Sequence, residues 1–121
     1  MAKNYIQPGH VMDFIAAADV VSGQVVRVGN TLGVSLGDYK NGDAGELQIS
    51  GVFEVPKVTT AVIAQGASVL WDASAGKFDV NSSTPASGDV GGASASAFKA
   101  GANGDTTIWI RFSGAPGTLT P

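Results

Sequence analysis

The chain has 121 residues, with seven Lys and Arg, ten Asp and Glu, one His and no Cys, and a formal net charge of -3 at pH 7. Because the basic residues are scattered singly, the sequence predicts no nucleic-acid partner. The lack of Cys excludes disulfides and thiolate metal ligands. There is no signal peptide and no apolar run near the ~18 residues of a membrane span, so we expect cytoplasmic synthesis and no membrane partner.

The length predicts a single domain, with an N-terminal arm over residues 1–11, a β-domain over 12–112 and a C-terminal tail over 113–121. Large apolar side chains are few, since the chain holds only five Phe, two Trp and two Tyr. Small domains with little apolar bulk often gain stability by binding other protein surfaces. The composition therefore favours an assembly protein.

Apolar and polar residues alternate along most of the chain, which predicts strands. The predicted strands cover residues 12–17, 24–28, 31–36, 46–55, 68–71, 77–80, 93–99 and 107–112. Residues 58–65 fit either a short helix or a strand, so the sequence predicts at most one short helix, in this segment. Strands at intervals of about 8–12 residues indicate an all-β fold, here a small β-barrel or sandwich built of hairpins.

Two predicted strands have a clear two-sided pattern. In residues 46–55 four apolar side chains fall on odd positions, namely Leu47, Ile49, Phe53 and Val55. Gly51 permits a bulge, and pairing should weaken or stop at Pro56. In residues 107–112, one face is apolar while the other holds Thr107, Trp109 and Arg111. Trp109 on this second face suggests that a neighbouring subunit covers it.

Turn residues separate the predicted strands. Asn41-Gly42 and Asn103-Gly104 predict type I′ hairpin turns, which need positive φ at both central residues. Residues 72–76 predict a longer hairpin loop. Three segments should lie outside the strands: the arm over residues 2–10, a Ser- and Gly-rich loop over 81–92, and the tail over 113–121.

Residues for catalysis or ligand binding are scarce. His10, the one histidine, lies on the arm, and we expect it to be solvated. Gly76-Lys77 lacks the remaining residues of a phosphate-binding loop. Asp38, Asn41 and Asp43 share a turn without the spacing of a calcium loop, so a solvated turn is the favoured interpretation. The sequence predicts no enzyme, no cofactor, no metal site and no small-molecule substrate.

Residues 51–57, which read G-V-F-E-V-P-K, resemble the G-V-F-E-L-P-K core of the capsid cement, or head decoration, proteins of tailed bacteriophages. Supporting segments follow in the expected order across residues 5–112. They are Y-I-Q-P-G at 5–9, S-G-Q-V-V-R-V-G at 22–29, G-V at 33–34, G-E at 45–46, Q-G at 65–66, V-L-W-D at 69–72 and T-I-W-I-R-F at 107–112. The family's penultimate strand usually continues as I-G-V-A, whereas residues 90–95 read V-G-G-A-S-A, which predicts a shifted or bulged strand. The tail after Phe112 also goes beyond the family's usual end.

The resemblance implies a compact β-domain that forms a homotrimer and binds the outside of a phage head at three-fold positions between hexamers of the major capsid protein. It implies that the protein stabilises the head against the pressure of packaged DNA. For the contacts with capsid or sister subunits, we predict Tyr5, Ile6, Gln7 and Pro8 on the arm, together with Glu54 and Trp109. Tyr5 and Ile6 would anchor the arm to a neighbour, or else cover the core of their own domain.

Two other functions compete with this one. The chain could be a virion-surface module that binds a carbohydrate or a host surface, using Trp71, Trp109, Tyr5 or Tyr39 to stack on sugars. It could also be an enzyme with a pair of carboxylates, which would require a concave pocket holding two acids.

Overall fold

The computed structural model describes residues 3–121, and its regular structure is almost entirely β. This confirms the all-β prediction. The strands are β1 (Val11–Ile15), β2 (Val25–Val28), β3 (Thr31–Ser35), β4 (Ala44–Gln48), β5 (Ser50–Pro56), β6 (Val69–Asp72), β7 (Lys77–Val80), β8 (Val90–Gly91), β9 (Ala95–Ala97), β10 (Thr107–Ser113) and β11 (Thr118–Leu119). A single 3-10 turn, Gly92–Ser94, interrupts them in the described part of the chain.

The strands form three sheets. The first is a curled half-barrel in the order β1-β4-β3-β2, the second runs β5-β10-β9, and the third runs β11-β8-β6-β7. A small apolar cluster of Phe14, Ala16, Val20 and Leu47 lies against the first sheet. The larger core draws its side chains from all three sheets.

Phe78 on β7 lies at the centre of the larger core and is fully buried. Its ring centroid is 5.0 Å from that of Trp71 and 6.0 Å from that of Phe112. Phe112 in turn meets the edge of Phe53 at 5.9 Å. Because aromatic pairs of this kind add to the energy of area burial, this cluster joins the second and third sheets into one packed unit.

The prediction of one strand over residues 46–55 is wrong in one respect: two strands in different sheets occupy it. β4 ends at Gln48 and pairs with β1 and β3, whereas β5 begins at Ser50 and pairs with β10. The backbone turns between the sheets at Ile49, and Gly51 follows with a φ of +117°. Pairing ends at Pro56, as predicted.

The two Asn-Gly turns exist, but they are not of type I′. In each, the last residue of the turn donates its amide to the carbonyl three positions earlier, Asp43 to Lys40 at 2.9 Å and Asp105 to Ala102 at 3.1 Å. Only the glycine has positive φ, +92° at Gly42 and +97° at Gly104. That combination is typical of a type II turn. The predicted hairpin over residues 72–76 is confirmed between β6 and β7.

Residues 58–65, which the sequence left open between a short helix and a strand, form neither a helix nor a continuous strand. The segment is irregular, and its only ladder contact is an isolated bridge from Ile63 to Gly101. The single helical turn lies instead at Gly92–Ser94, where Gly92 has a φ of +78°. It divides β8 from β9, so the strand predicted to be shifted or bulged is interrupted and changes sheet.

The loop over residues 81–92 and the tail contribute strands that the sequence did not predict. β11 in the tail pairs with β8 at the end of the loop, and both join the third sheet. The amide of Gly117 also donates to the carbonyl of Asn30 at 2.8 Å, which ties the tail to the β2–β3 turn. The tail is therefore part of the packed structure.

Candidate interface surface

The outer face of the second sheet carries two of the predicted interface residues. On β10, Ile108, Ile110 and Phe112 point into the core, while Thr107, Trp109 and Arg111 point outward. Antiparallel register places Glu54 opposite Trp109 and Val52 opposite Arg111. Directly opposite residues share a face of the sheet, so Glu54 and Trp109 are neighbours on the outer face.

Phe98 extends this face on the far side of β10. It follows β9, and its amide donates to the carbonyl of Trp109 at 2.9 Å, which places it across from Trp109. Phe98 is 48% exposed, Trp109 44% and Val52 41%. We call this surface the sheet face, defined by Val52, Glu54, Phe98, Trp109 and Arg111.

Polar and charged groups surround the indole of Trp109. The Lys99 ammonium lies 4.8 Å from the ring centroid, within the range of a cation–π interaction. The Thr107 hydroxyl donates to the Glu54 carboxylate at 3.0 Å. A shallow groove of about 400 Å³ runs beside Trp109 and is lined by Glu54, Lys99 and Asp105 among others. The sheet face thus combines exposed apolar surface with both signs of charge.

The other four predicted interface residues lie on the arm, ahead of β1. Tyr5 is 62% exposed and Ile6 is 86% exposed, so they do not cover the core of their own domain. The alternative in which they pack internally is wrong for this chain. Gln7 and Pro8 are exposed too, and the Gln7 amide donates to the carbonyl of Val11 at 3.3 Å.

His10 connects the base of the arm to the second sheet. Its Nδ1 lies 2.8 Å from the Ser50 hydroxyl at the start of β5. Ser50 pairs with Ser113, at the opposite end of the sheet from Pro56 and Thr107. His10 is exposed, as expected, but it contributes to the position of the arm.

Lys57, the last residue of the G-V-F-E-V-P-K segment, is fully buried. Its ammonium donates to the carbonyls of Val58, Thr59 and Ala61, which fold around it. Buried charges need such hydrogen bonds to offset desolvation. Sequence reasoning missed this residue; the available signal was a lysine placed directly after an alternating strand and a proline.

The candidates for sugar stacking are not brought together. Trp71 is buried in the core at 6% exposure, and Tyr39 is half-buried against the first sheet. Trp109 and Tyr5 are exposed, but they belong to the sheet face and the arm. In the turn that lacks calcium-loop spacing, two acids accept from backbone amides: Asp38 from Ser22 at 2.8 Å and Asp43 from Lys40 at 2.9 Å.

Within residues 3–121, no group of three or more His, Cys, Asp or Glu side chains is arranged to hold a metal ion. Over the same residues, no helix is long and apolar enough to cross a membrane.

A protein-family model described as phage cement protein matches residues 6–112, which include the sheet face and the arm from Ile6 onward. The chain belongs to the phage cement protein family. No curated protein matches it. Membership agrees with the resemblance of residues 5–112, and it implies association of this cement protein with a phage capsid.

The motif that carried the resemblance lies within the residues that the family model matches. In this cement protein, Val52 and Glu54 of the motif lie on the sheet face, while Val55 and Lys57 are buried. One short segment therefore contributes both to the outer surface and to the core. The 3-10 turn at Gly92–Ser94 stands where the resemblance predicted a shifted or bulged strand.

Proposed function

We propose that this protein is a structural cement protein that binds the outside of an assembled phage capsid as a homotrimer and stabilises the shell. Its partner is the major capsid protein, and its position is the three-fold site between hexamers. The observation that carries the proposal is the sheet face, an exposed apolar and charged surface on a well-packed sheet, in a chain of the phage cement family.

The sheet face has the composition of a binding surface. Aromatic residues and Arg are enriched where proteins bind each other, and exposed apolar groups that lie together mark such sites. Trp109 has the large amphipathic side chain typical of residues that dominate binding energy. Its neighbours Glu54 and Arg111 supply charges that select the orientation of a partner.

The arm is a second contact. Tyr5 and Ile6 are exposed ahead of Pro8, so they are free to bind a neighbour, either capsid protein or a sister subunit. A trimer would present three arms and three sheet faces to a symmetric site, and simultaneous engagement raises the overall affinity without new contacts.

Binding to the assembled shell alone is enough to stabilise it. A ligand that binds only one state stabilises that state by RT ln(1 + [L]/Kd), which is about 2.7 kcal/mol per site at one hundred times Kd. Repeated over many sites, this increment opposes the internal pressure of packaged DNA.

The proposal is tested by sedimenting the purified protein with expanded phage heads that lack it. We expect co-sedimentation that saturates at a multiple of three copies per three-fold site, with heads that are harder to disrupt by heat than bare heads. Protein that stays in the supernatant would contradict capsid binding, and saturation at one copy per site would contradict the trimer.

A carbohydrate-binding function is less well supported. Sugars stack on an open aromatic face, but the Lys99 ammonium lies over the Trp109 ring at 4.8 Å. This second function would be favoured if the protein bound neutral oligosaccharides, lost that binding in Trp109→Ala, and did not bind phage heads.

A further inference from the structure

A groove of about 450 Å³ lies on the first sheet, in a part of the protein separate from the sheet face. Its lining includes Phe14, Ile15 and Ala44 from β1 and β4, together with the Tyr39 ring. Ile15 is 66% exposed, which is unusual for a large apolar side chain in a strand. We call this site the β1 groove.

The β1 groove adjoins a free sheet edge. Within residues 3–121, β1 is an outer strand that pairs only with β4. The carbonyl of His10 accepts from Ile49 and the amide of Ala16 donates to Asp43, so the even-numbered residues bond to β4. Because bonding alternates along a strand, the backbone groups of Asp13 and Ile15 face away from β4. Such an edge can accept an added strand.

The β1 groove also carries unbalanced negative charge. Asp13 and Glu46 lie directly opposite each other on β1 and β4, and both side chains are exposed. Neither forms an ion pair with another described residue. Like charges at directly opposite positions are destabilising, so a cationic group placed between them would be favoured.

The arm carries the complementary groups. Lys3 supplies the positive charge, and Tyr5 and Ile6 supply the exposed apolar side chains. Residues 3–10, when extended, reach about 26–29 Å, enough to leave their own domain and lie along a neighbour.

The arm cannot fold back tightly onto its own β1. A two-residue hairpin at Pro8-Gly9 would need positive φ at its first central residue, whereas proline fixes φ near about -65°. Consistent with this, Tyr5 and Ile6 are exposed. The arm therefore complements the β1 groove chemically, but the Pro8-Gly9 connection prevents it from binding in the groove of its own chain.

We propose that the arm of one copy binds in the β1 groove of a second copy, as a strand added parallel to β1, with Lys3 near Asp13 and Glu46 and Ile6 near Ile15. The inference rests on the proposed function, since copies must lie side by side on the shell. It is a head-to-tail contact, which closes into a ring when repeated around a three-fold axis.

Cysteine cross-linking tests the contact, because the natural chain has no cysteine. Ile6→Cys and Ile15→Cys variants are prepared separately, mixed in the presence and absence of heads, and oxidised. The matched control pairs Ile6→Cys with Val62→Cys, since Val62 is also 66% exposed but lies outside the β1 groove. We expect at least about tenfold more heterodimer with Ile15→Cys than with Val62→Cys, a ratio that corresponds to a free-energy difference of about 1.4 kcal/mol.

Equal cross-linking at positions 15 and 62 would overturn the inference. So would an intrachain disulfide in a dilute Ile6→Cys/Ile15→Cys double variant, which would place the arm in its own groove. A photo-reactive group at position 15 that captures the major capsid protein instead of a second copy would overturn it as well.

Charge exchange tests the role of Lys3. Lys3→Glu should reduce the cross-link, and a partner carrying Asp13→Lys and Glu46→Lys should restore it. Failure of the restoration would overturn the assigned charge contact. Co-sedimentation keeps the two proposals apart: heads bound without the cross-link overturn only the arm exchange, and the cross-link without head binding overturns only the capsid function.

Discussion

Glu54 and Trp109 lie directly opposite each other on β5 and β10, and a hydroxyl from Thr107 fixes the Glu54 carboxylate at 3.0 Å. The two residues are separated by more than fifty positions in sequence, yet the register of one antiparallel pair makes them adjacent. Their side chains share the outer face, whereas Val55 and Ile108, next to them on the same strands, are buried. The sheet face is therefore held by the same ladder that builds the core.

Trp109→Ala should weaken capsid binding by about tenfold or more, because truncating a central aromatic of an interface often costs about 2 kcal/mol or more. Folding should change little, since the side chain is already 44% exposed. Co-sedimentation titration with heads and urea unfolding measure the two effects. The control is Val62→Ala, an exposed apolar residue outside the sheet face. Equal affinity of Trp109→Ala and Val62→Ala for heads would show that Trp109 does not contribute to the interface.

Deletion of residues 2–8 should weaken binding to heads and leave the fold intact. Tyr5 and Ile6 are exposed, and β1 begins only at Val11. A double Tyr5→Ala and Ile6→Ala variant should reproduce most of the loss if these side chains are the anchors. The free energy of unfolding, measured with urea, should change by no more than about 0.5 kcal/mol, as for an ordinary surface substitution. Unchanged head binding by the deleted protein would show that the arm is dispensable.

Lys57→Met should destabilise the protein by about 1–3 kcal/mol. Methionine is of similar length but cannot donate to the carbonyls of Val58 and Ala61, and buried acceptors without partners carry a cost of this order. Chemical denaturation measures the change. Lys77→Met, at an exposed position of β7, is the matched control and should be nearly neutral. If both variants unfold alike, the carbonyl contacts of Lys57 do not hold residues 58–61.

Asp89→Ala should loosen the loop over residues 81–92. The buried carboxylate accepts from the amides of Ala73 at 3.0 Å and Ala86 at 2.9 Å, joining the loop to the β6–β7 hairpin. We expect a loss of about 1–3 kcal/mol and faster cleavage of the loop by a non-specific protease. Asp105→Ala removes one exposed contact to the amide of Ala102 and is the control. Protection of the loop in Asp89→Ala would argue that other contacts order it.

Alternation predicted β10 well, because its inward residues are all large and apolar and recur at every second position. The same rule failed at Ile49, where the chain passes from the first sheet to the second. The apolar residues continue on odd positions on both sides of this point, so the pattern shows no break. Nothing in the pattern marks where hydrogen bonding passes from β1 and β3 to β10. Gly51 was the local signal, and its positive φ marks the bend.

Long-range contacts explain the other differences. Residues 58–65 are held by the Lys57 ammonium and by the bridge from Ile63 to Gly101. Since no strand ladder orders them, their sequence needs no alternation. The tail is ordered by pairing of Thr118 with Gly91, which composition does not reveal. For the interface, sequence placed Glu54 and Trp109 in separate strands, and only the register shows that they are neighbours. The sequence reasoning did not predict the β1 groove, since it combines β1, β4 and Tyr39.

Gly45→Ala should disturb both stability and the β1 groove. A Cβ at this position would lie 2.6 Å from two ring carbons of Tyr39, so the ring must move. Overpacking of this kind typically costs about 1–3 kcal/mol, and displacement of Tyr39 would also break its contact with the amide of Glu46. Gly9→Ala is the control for stability, because a Cβ there meets nothing within 4 Å. Urea unfolding and the position-15 cross-link are read together. We expect the unfolding midpoint and the yield of the cross-link to fall in Gly45→Ala. An unchanged unfolding midpoint in this variant would show that the Tyr39 ring accommodates a side chain at position 45 without cost.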